Sequence, residues 1–472
     1  MKSILKKLQD FYVSIPQKTK LLIFIIAGLL ILALIAVLIF SFVWRRSNHS
    51  EIITITYANW NLGEHRDNAL ELRMIQSFMD EHPNIRVEID QSVAHPWTES
   101  LSIAASQNRL PDVFMLEDIS VKAANGWLRN ITSYVWDDSD FFDLTPSVRE
   151  AMRMGSFIYA VPFAQNIHGY FVNLDLLREL GVEPPSFGMS ASSFVEAVRA
   201  ASDLSSNYVG LNQVFSIIEW YPSAVNSNLG FFAFDGFSFA LNSPEMLEAV
   251  RIAAELYGYG STYYGVPVDT RIYHFPSGYA IGAFRDGQMA FLYGDSGLAE
   301  ILIGHVPFEW AFIGVPGGRS IVTLEALGIS STTSHPEEAY LLARWMGHGV
   351  EGNLRRLEYS REMGLMPNNL PVTQNRAVLE ELWQILPVPG IVEVYASMDR
   401  ALINGLRVMP GYMQARFTAP TGVNVYGSAL SDIGVESLIR YSITGYAYFP
   451  YHSQTAEEVA RYQLDAALAA FR

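Results

Sequence analysis

The chain has 472 residues, of which 50% are apolar, 13% aromatic and 17% charged, with a formal net charge of −16. That length exceeds what one hydrophobic core supports, so two domains are expected. The acidic balance argues against nucleic acid and anionic lipid headgroups as partners, and the lack of cysteine excludes disulfides, a thiol nucleophile and lipid attachment at an N-terminal cysteine.

In chain order, Leu21–Trp44 comes first, 24 residues without a charge, whose helical length of about 36 Å exceeds a bilayer core of about 30 Å. Lys2, Lys6, Lys7, Lys18 and Lys20 precede it against Asp10, while Arg45 and Arg46 follow. The lysine-rich residues 1–20 should therefore stay cytoplasmic and the body should lie outside. A cleavable signal would have a shorter apolar region followed by small residues, which Phe42, Val43, Trp44 and Arg45 do not supply. The expectation is a retained transmembrane helix at 21–44, a tether at 45–51 and a cell-membrane, single-pass location. Residues 1–46 hold seven lysines and arginines against one aspartate, which leaves about −22 on the ectodomain.

Beyond the tether, the spacing predicts a strand at Ile52–Ala58, a helix at Asn68–His82 before Pro83, and a strand at Ile85–Ile89. A helix at Thr98–Asn108 and a strand at Asp112–Leu116 follow. This β-α-β-α-β order implies a parallel, doubly wound α/β sheet. Ligands of such sheets bind beyond the carboxyl ends of the strands, which selects Trp60, Asn61, Glu117 and Asp118. The run Trp136–Asp143 lacks the glycine and terminal glutamate of a calcium loop and reads as an exposed acidic turn. Asp137-Asp138, Glu337-Glu338 and Glu380-Glu381 read as solvated charge.

In Ile158–Leu177, Pro162 is expected to interrupt a strand, and Gln165, Asn166 and His168 then lie between two apolar segments. A crossover between lobes would look like this, with amides and imidazole facing a cleft. Asn173 and Asp175 should cap the following helix, ended by Gly181. Trp220 and Tyr221 read as loop aromatics, as do Tyr263 and Tyr264, and Gly230–Leu241 reads as a Phe-rich hairpin turning at Asp235-Gly236. Phe284–Gly297 reads as a helix end, a turn at Asp286-Gly287 and a strand that carries Tyr293 towards Asp295.

Taken in order, several segments resemble the extracellular solute-binding proteins of carbohydrate ABC importers, the maltodextrin-binding-like group. They are the first strand ending in Trp60, Phe78–Ile89, Ala105–Asp118, Ala123–Thr132, Ile158–Pro185, Phe284–Gly297, Phe312–Gly318 and Ala326–Met346. The resemblance covers nearly the whole ectodomain and implies a two-lobe periplasmic-binding-protein-like fold with a hinge and an interlobe cleft. Lobe 1 is expected to use 52–165 plus 308–350, and lobe 2 to use 166–307 plus 351–472. In that family the residue after Gly294 reaches the cleft and is often aromatic; here Asp295 and Ser296 stand there, and a carboxylate suits a pair of sugar hydroxyls.

Sugar rings stack on aromatic faces and seek carboxylates and amides with their hydroxyls. The expected ligand residues are therefore Trp60, Asn61, Glu117, Asp118, Gln165, Asn166, His168, Trp220, Tyr264, Tyr293 and Asp295. The chain has no G-x-S-x-G elbow, H-E-x-x-H pair or P-loop, so no enzyme, metal or cofactor is expected. The resemblance implies ABC permease subunits in the membrane as partners of a monomer that captures a carbohydrate. A sensor subunit that presents sugar to a receptor, and a surface carbohydrate hydrolase, remain the alternatives.

Overall fold

The computed structural model describes residues 52–62, 67–258, 260–367, 369–423, 433–446 and 448–471, with Pro16, Thr19, Ile31 and Leu34 as isolated positions. The span expected at Leu21–Trp44 lies outside the described residues, apart from Ile31 and Leu34, as does the tether. Among the described residues no helix is long and apolar enough to cross a membrane.

Packing divides the chain into a small unit, 1–54 with 82–86, and a large one, 55–81 with 87–472. In the small unit the Ile53 N–H donates to Asn84 O at 2.9 Å and the Ile85 N–H to His82 O at 2.8 Å.

The strands are β1 (Ile53–Ala58), β2 (Ile85–Ile89), β3 (Val113–Leu116), β4 (Arg153–Met154), β5 (Phe157–Ile158), β6 (Ala160–Asn173), β7 (Val209–Leu211), β8 (Met289–Asp295), β9 (Trp310–Phe312), β10 (Ile321–Ile329) and β11 (Leu402–Ile403). The main sheet runs β2-β1-β3-β10-β6-β8-β7, with β11 on β10 and β9 on β6. The expected parallel winding holds at β1–β3 and β7–β8. It fails in the centre, where β10 is antiparallel to both β3 and β6, and β6 to β8. The mixed sheet arises because distant segments pair there, the β10 partner of β6 being supplied from about 150 residues further along the chain.

Strand β6 is the spine of this arrangement, and Pro162 does not interrupt it. Glu325 pairs with Ala164 but Ala326 pairs with Pro162, so one residue is passed over where proline lacks a ladder donor. From Ala160 to His168 the strand lies along β10, and from His168 to Val172 along β8. Its centre meets the segment after β9 backbone to backbone: a Cβ on Gly169 would lie 2.6 Å from the Cα of Gly314, which itself has φ +64°.

One core gathers on β6, β7 and β8 around Tyr170, Phe194, Trp220 and Phe291, all without exposed surface. Phe194 and Trp220 pack edge to face with ring centroids 5.5 Å apart. Near β1 and β3, Trp345 packs against Phe78 and its indole N–H donates to Met74 O at 3.1 Å. The Phe-rich segment is a short 3-10 turn at Phe231–Ala233 with a single bridge between Phe234 and Phe239, rather than a full hairpin.

The expected acidic turn is not solvated throughout. Asp138 is 6% exposed and accepts from Tyr340 Oη at 2.8 Å, Arg344 Nε at 3.0 Å and His348 Nε2 at 2.8 Å. Three donors from one helix and the loop after it converge on this carboxylate, so it is a buried strut.

Candidate functional site

Residues directly opposite each other on paired strands share a face, and successive residues alternate. The register pairs Tyr170 with Tyr293, His168 with Asp295, Asn166 with Thr323, and Ala164 with Glu325. One face of the central strands therefore carries Tyr293, Asp295, His168, Asn166, Thr323 and Glu325. At Tyr170 this face is roofed by the core. At His168 and Asn166 the roof ends, and both are half-buried.

Neighbouring polar groups tie this floor together. His168 Nε2 and Thr323 Oγ1 are 2.9 Å apart, and Asn404 Nδ2 donates to the same hydroxyl at 3.4 Å. The His168 ring stacks on Tyr293 with centroids 6.4 Å apart. Burial lowers the His168 pKa, against the opposing charges of Asp295 and Glu219. Burial raises the Tyr293 phenol well above its usual range, helped by Glu219, to which its hydroxyl donates at 3.3 Å. Glu219 in turn accepts from Arg416 at 2.9 Å, and Arg416 bonds Glu436 at 2.7 Å and lies 4.2 Å from the centre of the Phe232 ring. Asp295 caps a short turn through Gly297 N at 2.9 Å with one oxygen. The Asn166 amide makes no hydrogen bond among the described residues, which leaves donor and acceptor free on a surface open to solvent.

Trp60 stands in a one-turn 3-10 helix just after β1, edge to face with Trp97 at 5.4 Å. The guanidinium of Arg407 lies over its ring, 5.1 Å from the centroid. Arg407 Nη1 also donates to Glu325 Oε1 at 3.3 Å, which joins Trp60 to the floor. Burial raises the Glu325 carboxyl pKa and Arg407 opposes that rise. The backbone carbonyl of Arg407 accepts from Ile119 N at 2.9 Å, which places the loop after β3 beside it.

Four expected ligand residues, Asn166, His168, Tyr293 and Asp295, thus share one face, and Trp60 is linked to it. The others do not join them. Trp220 is a correction: it lies within the helix Phe215–Val225 rather than in a loop, and it has no exposed surface. Its indole N–H donates to Tyr170 Oη at 2.8 Å, so it is core. Gln165 is a second correction, because alternation turns it to the opposite face, where Nε2 donates to Pro371 O at 2.7 Å and to Tyr395 Oη at 2.9 Å.

Asp118 is engaged as a helix cap, accepting from Val121 N at 3.0 Å and Ser120 Oγ at 2.7 Å. Glu117 accepts from Thr98 and lies 3.9 Å from Lys122. Asn61 lines a small cavity of about 50 Å³ with Glu71 and Arg356. Tyr264, half-exposed, lines a separate surface cavity of about 300 Å³ with Phe215 and Arg440. Sequence reasoning missed Glu325, Thr323 and Arg407. A carboxylate inside the apolar strand Ile321–Ile329 was the available signal for Glu325.

A family model described as a bacterial extracellular solute-binding protein matches residues 73–378, well over half of the chain. No curated protein matches the sequence. An ABC substrate-binding protein of Listeria monocytogenes, solved in complex with cycloalternan, is 19% identical with a TM-score of 0.65, over 88% of this chain and 100% of that one. A cyclic α-maltosyl-1,6-maltose binding protein of Arthrobacter globiformis is 17% identical with a TM-score of 0.64, over 88% and 99%. The sugar-binding protein MalE of Xanthomonas citri is 15% identical with a TM-score of 0.63, over 88% and 97%. At these identities the likeness is one of fold, the two-lobe α/β fold of periplasmic binding proteins.

Proposed function

We propose a function on the premise that the family match supplies: the chain belongs to the bacterial extracellular solute-binding protein family. It captures a sugar or oligosaccharide outside the cytoplasm and delivers it to an ABC importer. The observation that carries the reading is the face shared by β6, β8 and β10, where the core roof ends and Asn166, His168, Thr323 and Asp295 present donors and acceptors to solvent. Asn166 and Asp295 take hydroxyls, and Trp60 and Tyr293 supply ring surface. Support for a sugar also comes from the structural neighbours, one solved in complex with cycloalternan and one described as a cyclic α-maltosyl-1,6-maltose binding protein.

In this reading lobe 1 comprises 52–165 plus 308–350 and lobe 2 comprises 166–307 plus 351–472, with β6 among the crossing segments. A ligand held by both lobes favours the closed arrangement by its differential affinity, and a permease reads closure. Leu21–Trp44 anchors the chain with its N-terminus cytoplasmic, in place of a lipid. The chain acts as a monomer and binds sugar without altering it.

Calorimetry over a panel of linear and cyclic gluco-oligosaccharides, cycloalternan and maltotriose among them, tests the reading. Micromolar or tighter binding with the sugar recovered intact is expected. Shortened products would show a hydrolase, and absence of binding across the panel would remove the sugar reading.

A further inference from the structure

Resting on the reading that Trp60 helps to hold a sugar, we propose that Arg407 is a built-in occupant of the Trp60 face. An incoming sugar ring takes its place and sends the guanidinium onto the second oxygen of Glu325. Three separate contacts lead to this. The first is the guanidinium over the indole at 5.1 Å, on the surface where the apolar face of a pyranose would stack.

The second is the single, long bond between Arg407 Nη1 and Glu325 Oε1, 3.3 Å, where charge-assisted bonds run about 2.7–2.9 Å. The third is Glu325 Oε2, fully buried and without a hydrogen-bond donor among the described residues. A buried carboxylate oxygen left without a donor is unfavourable, and an arginine fork engaging both oxygens removes that penalty.

The resting arrangement therefore holds two half-made interactions, a cation on an aromatic face and a one-sided ion pair. Moving one side chain exchanges them for two complete ones, sugar on indole and a forked ion pair. Backbone motion is not needed. The Arg407 carbonyl is pinned by Ile119 N at 2.9 Å and Asn404 N donates to Val322 O at 2.8 Å, so the strand-edge segment that carries Arg407 is fixed at both sides. The Arg407 side chain is 26% exposed and has room to turn, while that of Glu325 is 9% exposed and stays. Sugar affinity then includes the displacement of Arg407, offset by completion of its pair.

The test is calorimetry with cycloalternan and maltotriose on the full-length chain, for wild type, Arg407→Met, Glu325→Gln and the double variant, with unfolding temperatures recorded alongside. In the Glu325→Gln background Arg407→Met should tighten binding about two- to fivefold, the equivalent of one exposed cation–π contact released, whereas with Glu325 intact that gain is offset by the lost completion of the pair. Glu325→Gln should bind more weakly, because the displaced guanidinium no longer has an anion to receive it. In the Arg407→Met background Glu325→Gln should change nothing. If Arg407→Met unfolds, Arg407→Gln replaces it with the same expected gain. Weaker or equal binding by the double variant than by Glu325→Gln alone would overturn the exchange, and so would an equal loss from Glu325→Gln in both backgrounds. Either result with wild type still binding sugar leaves the functional reading intact; failure of every form to bind either sugar removes both.

Discussion

Replacing Asp138 with alanine gives the sharpest test of the difference between a solvated acidic turn and a buried strut. The carboxylate is 6% exposed and accepts three side-chain donors, from Tyr340, Arg344 and His348, besides the Asp140 N–H at 3.1 Å. Arg344 keeps Asp140 as a partner and its side chain is 32% exposed, so water replaces part of its loss. The Tyr340 ring is buried and His348 has no exposed surface, so neither donor has such a substitute. Two stranded donors at about 1–3 kcal/mol each, with a smaller term for the arginine, put the loss at roughly 3–5 kcal/mol. A surface aspartate would cost under about 0.5 kcal/mol. Urea titration followed by tryptophan fluorescence measures it, and Asp138→Asn, which keeps acceptor capacity, should lose about half as much. A loss below 1 kcal/mol in Asp138→Ala would refute the reasoning. The pH dependence has a definite sign. Burial alone would raise this carboxyl, but the His348 hydrogen bond and charge, the Tyr340 hydroxyl and Arg344 outweigh it and hold the pKa below the ordinary carboxylate range. The stability it contributes is present above the unfolded pKa of about 3.9 and is lost as pH falls from there.

Asn166→Ala should lower sugar affinity about tenfold with little change in unfolding temperature, read by calorimetry and thermal shift, because its amide makes no bond within the described fold. Trp220→Ala should do the reverse of a binding-site change: a fully buried indole removed from the core costs about 3–5 kcal/mol in denaturant titration, and a retained unfolding temperature would contradict its placement. The folded state favours neutral His168, because burial lowers its pKa, so stability should fall as pH drops below the unfolded value of about 6.5. His168→Gln should flatten that slope between pH 7 and 5, as thermal melts would record. Gly169→Ala should destabilise by at least about 1–3 kcal/mol in urea, since its Cβ would meet Gly314 Cα at 2.6 Å with no flexible atom to give way.

Much of the local structure is legible in the sequence. Ile85–Ile89 is a strand to the residue, Asn68–His82 is a helix displaced by one position, and Asn173 caps its helix by accepting from Leu176 N at 2.9 Å. Gly287 has φ +79°, as the turn at Asp286-Gly287 requires. These depend on contacts a few residues apart. The antiparallel centre depends on strands far apart in the chain, for which no local pattern exists. The side of β6 that carries Gln165 is undecided until the register with β10 is known, although alternation alone says it opposes Asn166 and His168. Trp220 and Tyr221 read as loop aromatics but lie within the helix Phe215–Val225, which carries Pro222 internally. Arg407 and Glu325 lie 82 positions apart, and a lone arginine in Leu402–Pro410 gives no hint of its partner.

Between Ala164 and His168 the two sides of β6 have separate duties. Even-numbered side chains look onto solvent or the polar floor, and odd-numbered ones, Gln165 and Ile167, are buried on the other side. A deep mutational scan of these five codons should return a sawtooth, with folding defects and ligand phenotypes on alternate positions. If the polar floor holds the ligand as proposed, ligand preference would drift over generations at 166 and 168, and at their neighbours 295 and 323, under selection that holds the interleaved codons fixed.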